Sequence, residues 1–108
     1  MCIYKEDFKI WLEELLKSAM KEKRLEGSLE KLCNDITNYY PDIKIWFAEK
    51  LGKRWSYITG AGMESFMQSE KVSITSKYGV FLQNADNISC EEKENIFALM
   101  KIICTIKS

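Results

Sequence analysis

The segment near the C-terminus places the strongest constraint on the fold of this chain. Residues 89–92 have the spacing of a capping box. In this motif the Ser89 hydroxyl accepts a hydrogen bond from the third backbone amide of the helix, and the Glu92 side chain accepts one from the Ser89 backbone amide. Apolar residues then cover nearly the whole circumference of the predicted helix between Ile96 and Ile106. A helix that is apolar all round must be buried on more than one side. The chain therefore needs a second layer of structure to cover this helix.

The first half of the chain is predicted to be helical. Residues 5–24 carry one apolar helical stripe, and Gly27 is expected to follow as a stop. Ser28 is a good N-cap for a second helix. Pro41 interrupts that helix and starts a third helix over residues 42–51. The stripe of the first helix comprises Phe8, Trp11, Leu12, Leu15, Leu16, Ala19 and Met20.

The second half is predicted to be mainly strand. Residues 55–59 are rich in aromatic and β-branched side chains, residues 60–62 form a turn, and residues 63–68 form one helical turn. The alternation over residues 71–83 predicts a β-hairpin. The prediction is a single α+β domain over residues 1–108. It has three N-terminal helices, a small three-stranded antiparallel sheet and a C-terminal apolar helix, in the order αααβββα.

Composition sets the broad class of the protein. The chain has 108 residues, of which 46% are hydrophobic and 30% are charged, an ordinary globular balance. It has four cysteines without a CxxC pair and no histidine, so we expect reduced thiols, no metal and no cofactor. No apolar run approaches the roughly 18 to 20 residues that span a bilayer. We therefore expect a cytoplasmic protein that neither spans nor binds a membrane.

The absence of histidine also argues against an enzyme. Without histidine, the commonest general base is missing, and neither serine nor cysteine can be activated by an imidazole of the same chain. The acidic clusters at residues 13–14 and 91–94 are explained by solvation and by helix capping. No catalytic residue is assigned.

The leading hypothesis is a non-enzymatic interaction protein. Its apolar helical surface is expected to bind a second copy, giving a homodimer, or another protein. Phe8 and Trp11 on the first helix, with Ile102 and Ile106 on the last, are the predicted interface residues. Large apolar side chains of this kind carry most of the binding energy of an interface.

The alternative hypothesis is a winged-helix-like DNA-binding transcriptional regulator of bacterial or phage origin. Residues 42–51 would be the recognition helix and residues 71–83 the wing, while residues 52–62 could also cradle a phosphate or stack a base. The net charge of zero and the presence of only two arginines make nucleic acid the less favoured partner. The predicted phosphate contacts are Lys44, Lys50, Lys53, Arg54, Lys71 and Lys77.

Overall fold

The structure, a computed structural model, describes residues 2–62, 68–86 and 88–107. These residues form three helices and one four-stranded antiparallel sheet with the strand order β2-β1-β4-β3. The α+β class is confirmed, but the order is ααββββα, with one helix fewer and one strand more than predicted. The elements are α1 (Cys2–Met20), α2 (Leu25–Tyr39), β1 (Lys44–Leu51), β2 (Arg54–Gly62), β3 (Glu70–Ser73), β4 (Tyr78–Gln83) and α3 (Cys90–Lys107).

The three helices lie on one face of the sheet. Helix α2 packs across β1 and β2, and Lys93 of α3 pairs with Glu70 of β3 at 3.3 Å. The Lys107 Nζ donates to the Met20 carbonyl at 3.1 Å, so α1 and α3 end side by side. The Cα atoms span 44 × 34 × 20 Å, and the short dimension fits one helix layer on one sheet. No described helix covers the other side of the sheet, which we call the open face.

The helix predicted over residues 42–51 is wrong, because these residues form β1. Ile45 and Phe47 point towards the helices and are fully buried, whereas Trp46 between them points to the open face. The stretch fits a helical stripe, but it also alternates with period two. Pairing with β2 on one side and β4 on the other satisfies its backbone groups and decides in favour of the strand. The winged-helix alternative thereby loses its recognition helix.

The predicted junction between the first two helices is also corrected. Helix α1 ends at Met20, and α2 begins at Leu25, so Gly27 and Ser28 lie inside α2. Ser28 does not cap a helix. Its buried hydroxyl donates to the Ala19 carbonyl at 2.7 Å, which satisfies a polar group at the contact between the two helices.

The sheet is longer than the sequence indicated. Residues 60–62, predicted as a turn, are the last residues of β2. Gly60 lies opposite Trp46, and a Cβ on Gly60 would lie 2.6 Å from the Trp46 Cβ, so a side chain does not fit there. Of the helical turn predicted over residues 63–68, residues 63–67 lie outside the described residues. The hairpin predicted over residues 71–83 is confirmed as β3 and β4.

The predicted start of the last helix is confirmed. The Glu92 backbone amide donates to the Ser89 Oγ at 3.1 Å, and the Ser89 amide donates to the Glu92 Oε1 at 3.3 Å. The thiols of Cys33 and Cys104 are free and buried, and that of Cys90 is free and exposed. Among the described residues, no helix combines the length and apolarity needed to cross a membrane.

Candidate functional site

Three aromatic side chains stand together on the open face of the sheet. Trp46 of β1 lies opposite Phe81 of β4, and their rings are stacked with centroids 5.3 Å apart and planes 5° apart. Trp55 of β2 completes the group, which we call the aromatic platform. All three rings are half-buried, and none belongs to the hydrophobic core between the sheet and the helices. The platform is therefore a second aromatic cluster on the side away from the helices.

The Trp55 ring lies across the sheet above small residues. A Cβ on Gly79 of β4 would lie 3.0 Å from the Trp55 Cζ3, so the ring covers this glycine. Gly79 lies opposite Ala48 of β1, which is only 2% exposed. The Trp55 and Phe81 planes meet at 84° with centroids 5.9 Å apart. The two rings thus form a corner in which a planar group can stack on one ring and contact the edge of the other.

Lysine ammonium groups surround the platform. The Lys71 Nζ lies 5.2 Å from the Trp55 centroid, and the Lys50 Nζ lies 6.0 Å from the same centroid. Among the described residues, neither ammonium group has a carboxylate as an ion-pair partner. The Lys44 Nζ lies 5.9 Å from the Trp46 centroid. Two like charges held at one ring favour the approach of an anion.

The carboxylates of the strands point the other way. Glu49 and Glu70 are in register with residues that face the helices, and they pair with Lys77 and Lys93, each at 3.3 Å. Residues 44–83 contain six basic and three acidic residues, although the whole chain has a net charge of zero. The open face itself is locally basic, because it carries Lys44, Lys50 and Lys71 and no described carboxylate of the strands. Lys77, predicted as a phosphate contact, is paired on the opposite face.

The structure brings three of the other predicted phosphate contacts to the open face. Lys44, Lys50 and Lys71 lie on the open face, although on strands and not on a recognition helix. Lys53 and Arg54 are exposed at the turn that joins β1 to β2. The residue types were therefore identified from the sequence, but their common surface was not.

The aromatic platform itself was missed by sequence reasoning. Trp46 lies in the segment predicted as the third helix and Phe81 in the predicted hairpin, and neither residue was assigned to a binding surface. The signal that could have found them is the period-two alternation of Ile45, Trp46 and Phe47, which places Trp46 on the face opposite to its two neighbours. Only the strand pairing then shows that Phe81 and Trp55 join it.

The four predicted protein-interface residues differ in their exposure. Phe8 is 7% exposed and belongs to the core, whereas Trp11 is half-buried in the middle of α1. Ile102 and Ile106 are 47% and 60% exposed on α3. Trp11 stacks on Tyr39 of α2, whereas Ile102 and Ile106 lie in the last two turns of α3.

No protein-family model matches this chain, and no curated protein matches it. Its function is therefore inferred from the chemistry of its own surfaces. In residues 2–62, 68–86 and 88–107, no group of three or more His, Cys, Asp or Glu side chains is placed to hold a metal ion. The basic open face with its aromatic platform is the surface whose chemistry is most specific.

Proposed function

We propose that this chain is a non-enzymatic binding module whose ligand is single-stranded nucleic acid, held on the open face of the sheet. The observation that carries the proposal is the placement of Lys50 and Lys71 at the Trp55 ring, beside the stacked pair of Trp46 and Phe81. Stacked rings with cations beside them match the two parts of a nucleotide. Bases bind aromatic faces, and phosphates bind ammonium groups.

A single strand fits this surface better than a duplex. In a duplex the faces of the bases are hidden in the helical stack, and sequence is read from the grooves by a protruding helix or ribbon. The open face presents a sheet with rings and no described helix. In a single strand the bases can be splayed onto such rings, each worth about 1–3 kcal/mol. Lysine binds phosphate as a point charge and does not require the fixed geometry of arginine, so the scarcity of arginine is compatible with this ligand.

The local charge removes the main argument against nucleic acid. A net charge of zero lowers the expectation of an anionic ligand only when the charges are evenly mixed. In this chain the acidic excess lies outside residues 44–83, whereas those residues have a basic excess. A phosphate backbone approaching the open face meets lysines and no described carboxylate of the strands.

The proposal is tested by the fluorescence anisotropy of a labelled oligonucleotide of about 12 nucleotides, in DNA and RNA forms and as a duplex. Trp46→Ala and Trp55→Ala are each expected to weaken single-strand binding by about tenfold, the loss of one stacking contact. Tyr39→Ala is the matched control, because Tyr39 is a partly exposed aromatic residue on the helical layer. Equal binding by all variants, or equal affinity for the duplex, would refute the proposal.

Helix α3 carries a second candidate function, the predicted binding of a protein or a second copy. Its basis is the exposure of Ile102 and Ile106, which are four residues apart and so share one face of the helix. Light scattering over a dilution series is the test. A dimer that persists at high salt and is lost in Ile102→Ala would support it, and a monomer at every concentration would exclude self-association through this face.

A further inference from the structure

We propose that the groove between α1 and α2 binds an arginine side chain presented by a basic segment of a partner protein. This groove lies in the helical layer, away from the open face, and has a volume of about 400 Å³. Its walls include Trp11 and Glu14 of α1, and Asp35 and Tyr39 of α2. It is independent of the nucleic-acid proposal, because no residue of the aromatic platform lines it.

One end of the groove is aromatic. Trp11 and Tyr39 are stacked with centroids 4.1 Å apart, and Tyr40 meets both rings edge-on, with centroids 6.0 Å from Trp11 and 4.8 Å from Tyr39. Tyr39 is 39% exposed, so this stack reaches the surface. The faces of tryptophan and tyrosine attract cations, and arginine is the cation most often found on them.

The remaining walls carry two carboxylates, of Glu14 and Asp35, and one ammonium group, of Lys31. Glu14 makes no ion pair with a described residue, and Asp35 has only the Lys31 Nζ at 4.0 Å. The carboxylates of Glu92 and Asp7 also act on the aromatic end, where they add to burial in raising the pKa of Tyr39. The charged side chains that line the groove thus leave a net charge of one negative beside the ring faces, because Lys31 offsets one of the two carboxylates.

Arginine matches this combination better than other side chains. Its guanidinium is planar, so it can stack on an aromatic ring while its N–H groups donate to carboxylates at the edge. A neutral apolar side chain would leave the Glu14 carboxylate without an ion-pair partner, and an acidic one would be repelled. The charge of the groove therefore selects a basic segment among protein partners.

The test uses N-acetyl-arginine amide as the probe and N-acetyl-citrulline amide as its uncharged isostere. The chain has three tryptophans, so the indole N–H signals of Trp11, Trp46 and Trp55 report separately by NMR. The arginine probe should move the Trp11 signal saturably and leave the other two in place, and the citrulline probe should move none. Equal movement by both probes, or no saturable movement of Trp11, would overturn the proposal.

Charge variants complete the test without removing a ring from the fold. Glu14→Gln and Asp35→Asn should each weaken binding of the arginine probe by about twofold to fivefold, as expected for partly exposed ion pairs. Glu13→Gln is the matched control, since Glu13 is exposed on the same helix and does not line the groove. If Glu13→Gln weakened binding as much as Glu14→Gln, the effect would be general electrostatics and the site assignment would be wrong.

Discussion

The two aromatic clusters of this protein have similar ring chemistry and opposite electrostatic surroundings. On the open face, Trp46, Phe81 and Trp55 stand among lysines. In the helical layer, the stacked pair of Trp11 and Tyr39 stands among carboxylates. Aromatic content alone therefore does not define a ligand. The neighbouring charges assign anions to one surface and cations to the other.

The comparison also separates rings that hold the fold from rings that are available for binding. Phe47 and Trp46 are consecutive residues of β1, yet Phe47 is fully buried under the helices and Trp46 is half-exposed on the other side. A strand inserted between a core and an open face gives adjacent residues different roles. The same alternation explains why the carboxylates of Glu49 and Glu70 do not neutralise the lysines of the platform.

The largest expected effect is on stability, and it contrasts these two neighbours. Phe47→Ala should lower the free energy of unfolding by about 3–5 kcal/mol, because it leaves a cavity in the core. Trp46→Ala should cost less, because its ring is outside the core and loses its partial burial together with its stacking on Phe81, which is worth about 0.5–1.5 kcal/mol beyond the buried area. Urea unfolding of the two variants measures the difference. Equal losses would mean that Trp46 is a core residue and that the open face is covered.

Alkaline pH should weaken the helical layer. Burial raises the pKa of Cys104 from its ordinary value of 9.0 to about 11, and burial followed by Glu92 raises the pKa of Tyr40. The unfolded chain therefore loses these protons at a lower pH than the folded chain. The contribution of Cys104 to the free energy of unfolding is fully present below pH 9 and is lost as the pH rises through 11. Cys104 should lower the free energy of unfolding by at most about 1.4 kcal/mol per pH unit.

The control for this pH dependence is Cys104→Ala. Its free energy of unfolding should fall less steeply between pH 9 and 11 than that of the unchanged chain, even if its stability at neutral pH is lower. Parallel curves for the two proteins would contradict the assigned cause.

Iodoacetamide should modify Cys90 in the folded protein well before Cys33 or Cys104, because only Cys90 is exposed among these three.

The smallest expected effect is on the salt dependence of binding to the open face. Lys71→Ala removes a cation from the platform and should reduce the slope of log affinity against log salt by about one, with a similar effect for every oligonucleotide sequence. Lys93→Ala is the matched control, because Lys93 belongs to α3 and pairs with Glu70 on the helical side of the sheet. A slope that changed equally in both variants would show that the net charge, and not the open face, determines binding.

The parts of the fold that the sequence predicted well depend on local patterns. The stripe of α1 from Phe8 to Met20 and the capping box at Ser89 are both signals within one element, and both elements are present. Residues 42–51 were misassigned because their pattern fits both periods. The choice between helix and strand depended on pairing with β4, whose paired residues lie 29 to 39 positions further along the chain and so outside any local window.

The site shows the same division. Lys50 and Lys71 could be suspected from residue type alone, and both lie on the open face. Their convergence on Trp55 depends on the register of four strands. It also depends on Gly79, whose missing side chain leaves room for the Trp55 ring. Gly79 is important because the ring of Trp55, a residue of another strand, lies over it. No pattern along the chain indicates such a contact.

The most direct test of the central claim is an NMR titration of the three indole N–H signals with a single-stranded oligonucleotide of about 12 nucleotides. The account predicts that the signals of Trp46 and Trp55 shift or broaden together while that of Trp11 stays in place, because only the first two lie on the open face. Movement of Trp11 alone, or of all three equally, would contradict it.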